Sequence, residues 1–267
     1  MRRWLRGHLE LWLTAVMFYT RLPCPAWVSH DAELLNRATV YFPLIGWLVG
    51  AVAAGVYWSA AQLWPPVIAV LLSTAASVLL TGAFHEDGLA DVCDGFGGGW
   101  TRARILDIMK DSRVGTYGLV GLGLALGTKV AALSGAAAGP GRWGLSVPVL
   151  LAVAHPLSRL TALLFVRTLP YAREDLNDGK AKPVAQSMPN GRLAVAALLG
   201  LAPLLALAAW QRQPTLLLVL LPLLVLHVVL GRWFRRWLGG YTGDCLGATQ
   251  QLAEVLVYVF FTARIWH

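Results

Sequence analysis

Apolar runs of membrane-spanning length alternate with short polar stretches along the whole chain. Residues 39–63, 67–84, 114–138, 145–166, 193–210 and 215–230 are dominated by aliphatic and aromatic side chains. Windows of about 20 such residues with few charges are what a bilayer core requires, and helices are the way an open chain satisfies its backbone there. Residues 9–20 make a shorter amphipathic or re-entrant segment stopped by Pro23 and Pro25, and 252–265 make a last weak one. The pattern predicts an all-α polytopic bundle of six to eight membrane segments, in one domain over 1–267.

Composition strengthens this reading. Hydrophobic residues are 57% of the 267 and charged residues only 13%, about half the charged fraction of a soluble domain. The net charge of +8 does not point to nucleic acid, because its distribution follows the alternation of spans and loops. Arg102, Arg104, Lys110, Arg113, Arg167, Arg173, Lys180, Lys182, Arg192, Arg232, Arg235 and Arg236 fall near three loops, at 85–114, 167–192 and 232–250. The opposite loops carry only Arg142 and Arg212. The positive-inside rule therefore places the three large loops in the cytoplasm of a cell whose inner membrane holds the bundle. No cleavable signal is expected: Arg21-Leu-Pro-Cys-Pro25 stands where a small-residue cleavage site would be. Cys24, Cys93 and Cys245 lack paired spacing and read as reduced thiols.

Against this apolar background one stretch is out of place. His85-Glu-Asp-Gly-Leu-Ala-Asp-Val-Cys-Asp-Gly-Phe-Gly-Gly-Gly99 puts Glu86, Asp87, Asp91 and Asp94 directly behind a span. A carboxylate at a bilayer centre costs roughly 2.5–3.5 kcal/mol on insertion scales, so the cluster must be shielded, hydrated or functional. On a helix Asp87, Asp91 and Asp94 share a stripe that Glu86 does not. Three anions on one face repel unless a cation lies among them, and oxygen ligands suit Mg²⁺ or Mn²⁺.

Behind a glycine-rich turn, Arg102-Ala-Arg-Ile-Leu-Asp107-Ile-Met-Lys-Asp111-Ser-Arg113 places Asp107 and Asp111 at i, i+4, with Thr101 as N-cap. Two carboxylates from each of two facing helices would hold hard cations against phosphoryl oxygens, and the neighbouring Arg and Lys side chains suit phosphates. Other readings stand beside these. Asp107 is equally suited to pairing with Arg104 or Lys110, and His85 to local capping, a phosphate contact or carrying a proton. Lys129 either snorkels or finds a carboxylate; His155, Arg159 and His227 read as helix-packing or helix-end residues. Asp244 sits at a glycine-flexed approach to the last helix, on the side of the acids.

The run His85-x-Asp87-Gly-Leu-Ala-Asp91-x-x-Asp94-Gly95, followed by Ile108-Met-Lys-Asp-Ser-Arg-Val-Gly115, resembles the cobalamin synthase family, the adenosylcobinamide-GDP ribazoletransferases. Phe18-Tyr-Thr-Arg-Leu-Pro23, Tyr41-Phe-Pro-Leu-Ile-Gly46 and Gly243-Asp244-x-x-Gly-Ala248 extend the resemblance over nearly the whole chain. It implies transfer of the cobinamide phosphate of adenosylcobinamide-GDP to α-ribazole or its 5′-phosphate, with GMP leaving. Under that reaction Asp87, Asp91, Asp94, Asp107 and Asp111 make the metal cradle, Asp111 or His85 is the base, and Arg102, Arg104, Lys110, Arg113 and Asp244 hold substrate. The bilayer and two small molecules are the partners, and self-association is left open. The two-helix acid pattern also resembles the CDP-alcohol phosphotransferases, whose Asp-Gly-x-x-Ala-Arg opening is absent here. A cation or proton transporter is the alternative of another class.

Overall fold

Each apolar run becomes a helix because a bilayer offers the backbone no other hydrogen-bond partner. The computed structural model describes residues 2–29 (backbone only over 2–5), 31–139, 143–173 and 188–263, and the described residues form an all-α bundle. In chain order the helices are α1 (Arg2–Tyr19), α2 (Ala32–Ala38), α3 (Phe42–Ala60), α4 (Pro66–Thr81), α5 (Phe84–Gly98) and α6 (Arg102–Ile108). There follow α7 (Thr116–Ala138), α8 (Val147–Thr168), α9 (Asn190–Gln211), α10 (Leu220–Leu238) and α11 (Gly243–Thr262). Among the described residues six helical stretches are long and apolar enough to cross a membrane, or seven if the bent pair α4 and α5 counts as one span. This is an integral membrane protein. Cys24, Cys93 and Cys245 are free thiols.

Two boundaries differ from those the sequence suggests. The span expected to end in the acidic motif breaks at Gly82 and Ala83, both in the left-handed region (φ 66° and 58°). Because of this break α5 turns 89° from α4 and runs across the end of the bundle. The stretch 232–250, expected as a loop, is mostly helix. α10 continues to Leu238 behind a left-handed Gly239, and α11 starts at Gly243, where the Thr242 hydroxyl accepts from Cys245 N at 3.3 Å. Arg235 and Arg236 thus lie in the last turn of α10, where cations complement the helix dipole.

Small residues set the crossings, since lipid supplies no hydrophobic drive for helices to pair. A Cβ on Gly46 would lie 2.5 Å from the His155 carbonyl oxygen, so α3 rides backbone to backbone on the central helix α8. At the other crossing, a Cβ on Gly88 would meet the Asp244 backbone at 3.0 Å, and one on Gly247 would meet the His85 carbonyl oxygen at 3.2 Å. α5 therefore lies directly on the start of α11.

Behind that crossing a chain of buried polar side chains joins four helices. Lys129 Nζ pairs with Glu254 Oε1 at 2.9 Å and donates to Gln251 Oε1 at 2.9 Å. Gln251 Nε2 donates to Glu86 Oε1 at 2.8 Å, and Gln250 Nε2 donates to Glu254 Oε2 at 2.7 Å. Tyr258 donates to Glu254, His155 Nδ1 lies 3.3 Å from the same carboxylate, and an Arg159 Nη1 donates to the His155 carbonyl at 3.0 Å. Every one of these residues is at most 5% exposed. Lys129 thus pairs rather than snorkels, and His155 and Arg159 are network members rather than packing residues. Two cations face two anions, the balance that burial in a low-dielectric interior demands.

Removing one partner leaves a buried charge alone. Lys129→Met is expected to destabilise the protein by about 3–5 kcal/mol, read as a lowered unfolding midpoint in detergent, and Lys129→Met with Glu254→Gln to recover part of the loss.

Candidate active site

The acids of α5 point to different neighbours. Asp94 is buried and closes the N-terminus of α7: Gly115 N donates to its Oδ2 at 2.7 Å and Gly118 N to its Oδ1 at 2.8 Å. Those N–H groups have no partner within the helix, and the positive end of the dipole favours the anion. Glycine is needed at both places, since a Cβ on Gly115 or Gly118 would run into the Asp94 carboxylate.

Asp87 is exposed and Asp91 half-buried, and both belong to a cluster with Asp244. Burial first, then the charges of Asp244 and Asp87, push the Asp91 carboxyl up to about 7, against the opposing pull of Arg173. Arg173 Nη2 meets Asp244 Oδ2 at 2.7 Å, and Thr242 Oγ1 donates to the same oxygen at 3.2 Å. The strand-like stretch before Arg173 is held by Ala172 N donating to Tyr241 O (2.8 Å) and Tyr241 N donating to Pro170 O (2.9 Å). An Arg102 Nη2 donates to Ala172 O at 2.7 Å. Among the described residues one guanidinium therefore lies with three carboxylates, which leaves an excess of negative charge.

The second acidic pair does not join them. α6 ends at Ile108, so Asp107 and Asp111 do not share a helix face as the i, i+4 spacing suggests. The reason is local: Lys110 N and Asp111 N bond back to the carbonyls of Asp107 and Ile108 in a tightening turn. Asp107 pairs with Arg104 at 2.7 Å on the exposed face. Asp111 takes two bonds from the Arg113 side chain, at 3.0 and 2.7 Å, and one from its backbone N–H. Those hydrogen bonds hold the Asp111 carboxyl down at about 2, which makes it a weak proton acceptor. His85 is 2% exposed and lies among aromatic rings. The five expected metal ligands are thus divided among three settings. No three His, Cys, Asp or Glu among the described residues converge on one ion site.

The basic residues of this stretch line the surface on both sides of α6. α6 forms a ridge between two open clefts, one of about 710 Å³ bordered by Arg104, Lys110 and Arg113 with Asp94, the other of about 520 Å³ bordered by Arg102, Lys110 and Arg173. Arg173 is the residue sequence reasoning missed as part of the site. Its partner Asp244 is 71 residues away, and nothing local marks it. The glutamines and Glu254 of α11 did leave a signal, since Gln250, Gln251 and Glu254 recur at helical spacing in an apolar segment. The loop expected at 167–192 falls largely on 174–187, with Lys180 and Lys182, outside the described residues.

A helical membrane bundle that gathers carboxylates and arginines at one end has the makings of an enzyme for anionic groups, of the phosphoryl-transfer kind. Comparison with known proteins narrows this: residues 11–262 match the family model described as cobalamin-5-phosphate synthase. The chain belongs to that family. It is 47% identical to the adenosylcobinamide-GDP ribazoletransferase of Leptothrix cholodnii, over 96% of each chain. It is also 44% identical to that of Vibrio cholerae and 42% to that of Shewanella frigidimarina, in both cases over 98% of this chain and 97% of theirs. No solved structure matches it.

The capping role of Asp94 has a measurable consequence. Asp94→Asn leaves one acceptor oxygen for two donors, so a loss of about 1–2 kcal/mol is expected, read as a midpoint several degrees lower in detergent. Lost turnover at an unchanged midpoint would instead assign Asp94 to the chemistry.

Proposed function

We propose that this chain transfers the cobinamide phosphate of adenosylcobinamide-GDP to the ribose hydroxyl of α-ribazole or its 5′-phosphate and releases GMP, the nucleotide-loop step of cobalamin biosynthesis. The observation that carries the reading is identity of 42–47% with ribazoletransferases over nearly the whole length of both chains. The acidic and basic groups at one end of the bundle support it chemically. A pyrophosphate donor needs its oxygens neutralised, and Arg102, Lys110 and Arg173 on one side of α6, with Arg104 and Arg113 on the other, are placed to do this. Asp244 holds Arg173 in position for that contact.

The reading includes Mg²⁺, with Mn²⁺ as substitute. Mg²⁺ is ordinarily held by one or two carboxylates together with substrate phosphates and water, not by an all-protein cage. Asp87 and Asp91 fit that mode: oxygen donors, one exposed, in a cluster whose surplus negative charge burial and Asp244 make costly. Bound there, the ion would neutralise the phosphoryl oxygens and ease departure of GMP. Asp107 and Asp111, each held by its own arginine, serve better to orient Arg104 and Arg113 than to ligate. The reading also places the site at the cytoplasmic face of the inner membrane, by the charge asymmetry of the loops.

Purified protein in lipid nanodiscs, given adenosylcobinamide-GDP and α-ribazole, is expected to release GMP only when a divalent cation is present. Asp91→Asn should lower turnover by at least a hundredfold without moving the unfolding midpoint. Release of GMP at full rate in excess chelator would remove the ion from the proposal, and no release under any condition would remove the reaction.

A further inference from the structure

Four segments far apart in sequence meet in an enclosed aromatic cavity beside the carboxylate cluster. Phe18 and Tyr19 from the end of α1, Phe42 from the start of α3, Phe84 and His85 from α5, and Leu246 and Gly247 from α11 form much of its wall. The rings are braced against each other: Tyr19 stacks on Phe42 with centroids 4.4 Å apart, and the His85 ring lies within 12° of parallel to Phe42 at 5.6 Å. Phe84 meets His85 edge-on at 5.5 Å. The imidazole plane is therefore fixed by its neighbours. His85 is 2% exposed, and its Nε2 has no hydrogen-bond partner among the described residues.

A buried polar nitrogen without a partner costs free energy in a finished core, and it calls for an occupant that supplies one. The wall also includes Gly243 and Tyr171. Gly243 precedes Asp244, and Tyr171 lies two residues before the Arg173 that pairs with it. The cavity therefore lies next to the segments that carry the Asp244 carboxylate and the Arg173 guanidinium.

We propose that this cavity receives the base of the acceptor nucleoside, a flat apolar heterocycle with a single free ring nitrogen, and that His85 Nε2–H donates to that nitrogen. The inference rests on the transfer reaction proposed above. Flat aromatic walls match a fused apolar ring by stacking and edge contacts. A guanine base fits poorly, since its several donors and acceptors would meet a mostly apolar wall with few groups to pair them. The volume is about 90 Å³, below the roughly 150 Å³ of a cavity that holds benzene. The ring therefore enters only when a wall moves aside, and Phe84, 42% exposed, has room to yield.

Equilibrium binding to the full chain in nanodiscs tests this with three α-nucleosides: α-ribazole, an indole analogue lacking the free nitrogen, and a naphthimidazole analogue with an extra ring. Leu163, which also lines the cavity, limits its depth. Leu163→Ala is expected to shift the preference toward the naphthimidazole nucleoside by at least tenfold over α-ribazole. His85→Phe is expected to weaken α-ribazole about tenfold and to leave the indole analogue unchanged. An unmoved preference in Leu163→Ala, equal weakening of both nucleosides in His85→Phe, or a change in GDP affinity instead would overturn the assignment. GMP release by the wild type, measured alongside, keeps the two proposals apart: turnover with an unmoved preference rejects only the cavity, and a shifted preference without turnover rejects only the reaction.

Discussion

The bundle is organised around charges that have no water to face. Glu254 is 2% exposed and receives Lys129 and, on its other oxygen, Gln250 with His155 nearby. In the interior of a membrane protein each of these groups would be prohibitive alone, and together they are neutral. The constraint acts on orientation. Gln251 and Glu254 reach partners on α5, α7 and α8 only if α11 presents one particular face. Asp244 is seven residues before Gln251, so it projects from the same side of the helix, toward α5. The network that satisfies the buried charges also aims an acid of the site.

Close approach then converts orientation into proximity. Gly88 and Gly247 let α5 and α11 touch by backbone, which brings Asp87 and Asp91 up to Asp244. Larger residues would hold the helices apart, and Arg173 would have to neutralise carboxylates farther away. α5 itself divides its anions by direction. Glu86 faces inward to Gln251, Asp94 faces the free N–H groups of α7, and Asp87 and Asp91 gather with Asp244 near Arg173. Four carboxylates in nine residues look like one site in the sequence; in space they do three jobs.

That difference marks what the sequence could show. The spans were legible because a bilayer imposes length and hydropathy on every segment separately, and the acidic motif stood out because charge beside a span is expensive. The 89° turn between α4 and α5 was not legible. It depends on Ala83 adopting a left-handed conformation that nothing in its side chain favours. Helical periodicity placed Asp107 with Asp111, but one turn of backbone ending at Ile108 separated them. The pairing of Arg173 with Asp244 and the hydrogen bond from Gln251 to Glu86 are contacts across 71 and 165 residues. Such partners are fixed by packing, and a single sequence carries no local trace of them.

The arginines near the site follow the same logic as the buried network, with water now present. Arg104 and Arg113 are each paired with an aspartate at 2.7 Å on exposed surface, where such pairs contribute little to stability. Their worth lies in placement: a guanidinium already oriented by a carboxylate loses less freedom when a phosphate arrives. Arg173 is held the same way, but by a half-buried Asp244 and beside unneutralised acids. On the proposed reaction, an incoming pyrophosphate with its cation would offset the negative charge that Asp87, Asp91 and Asp244 bring together among the described residues. In that proposed reaction an anionic substrate carrying a divalent ion would complete the charge balance among the described residues of the site.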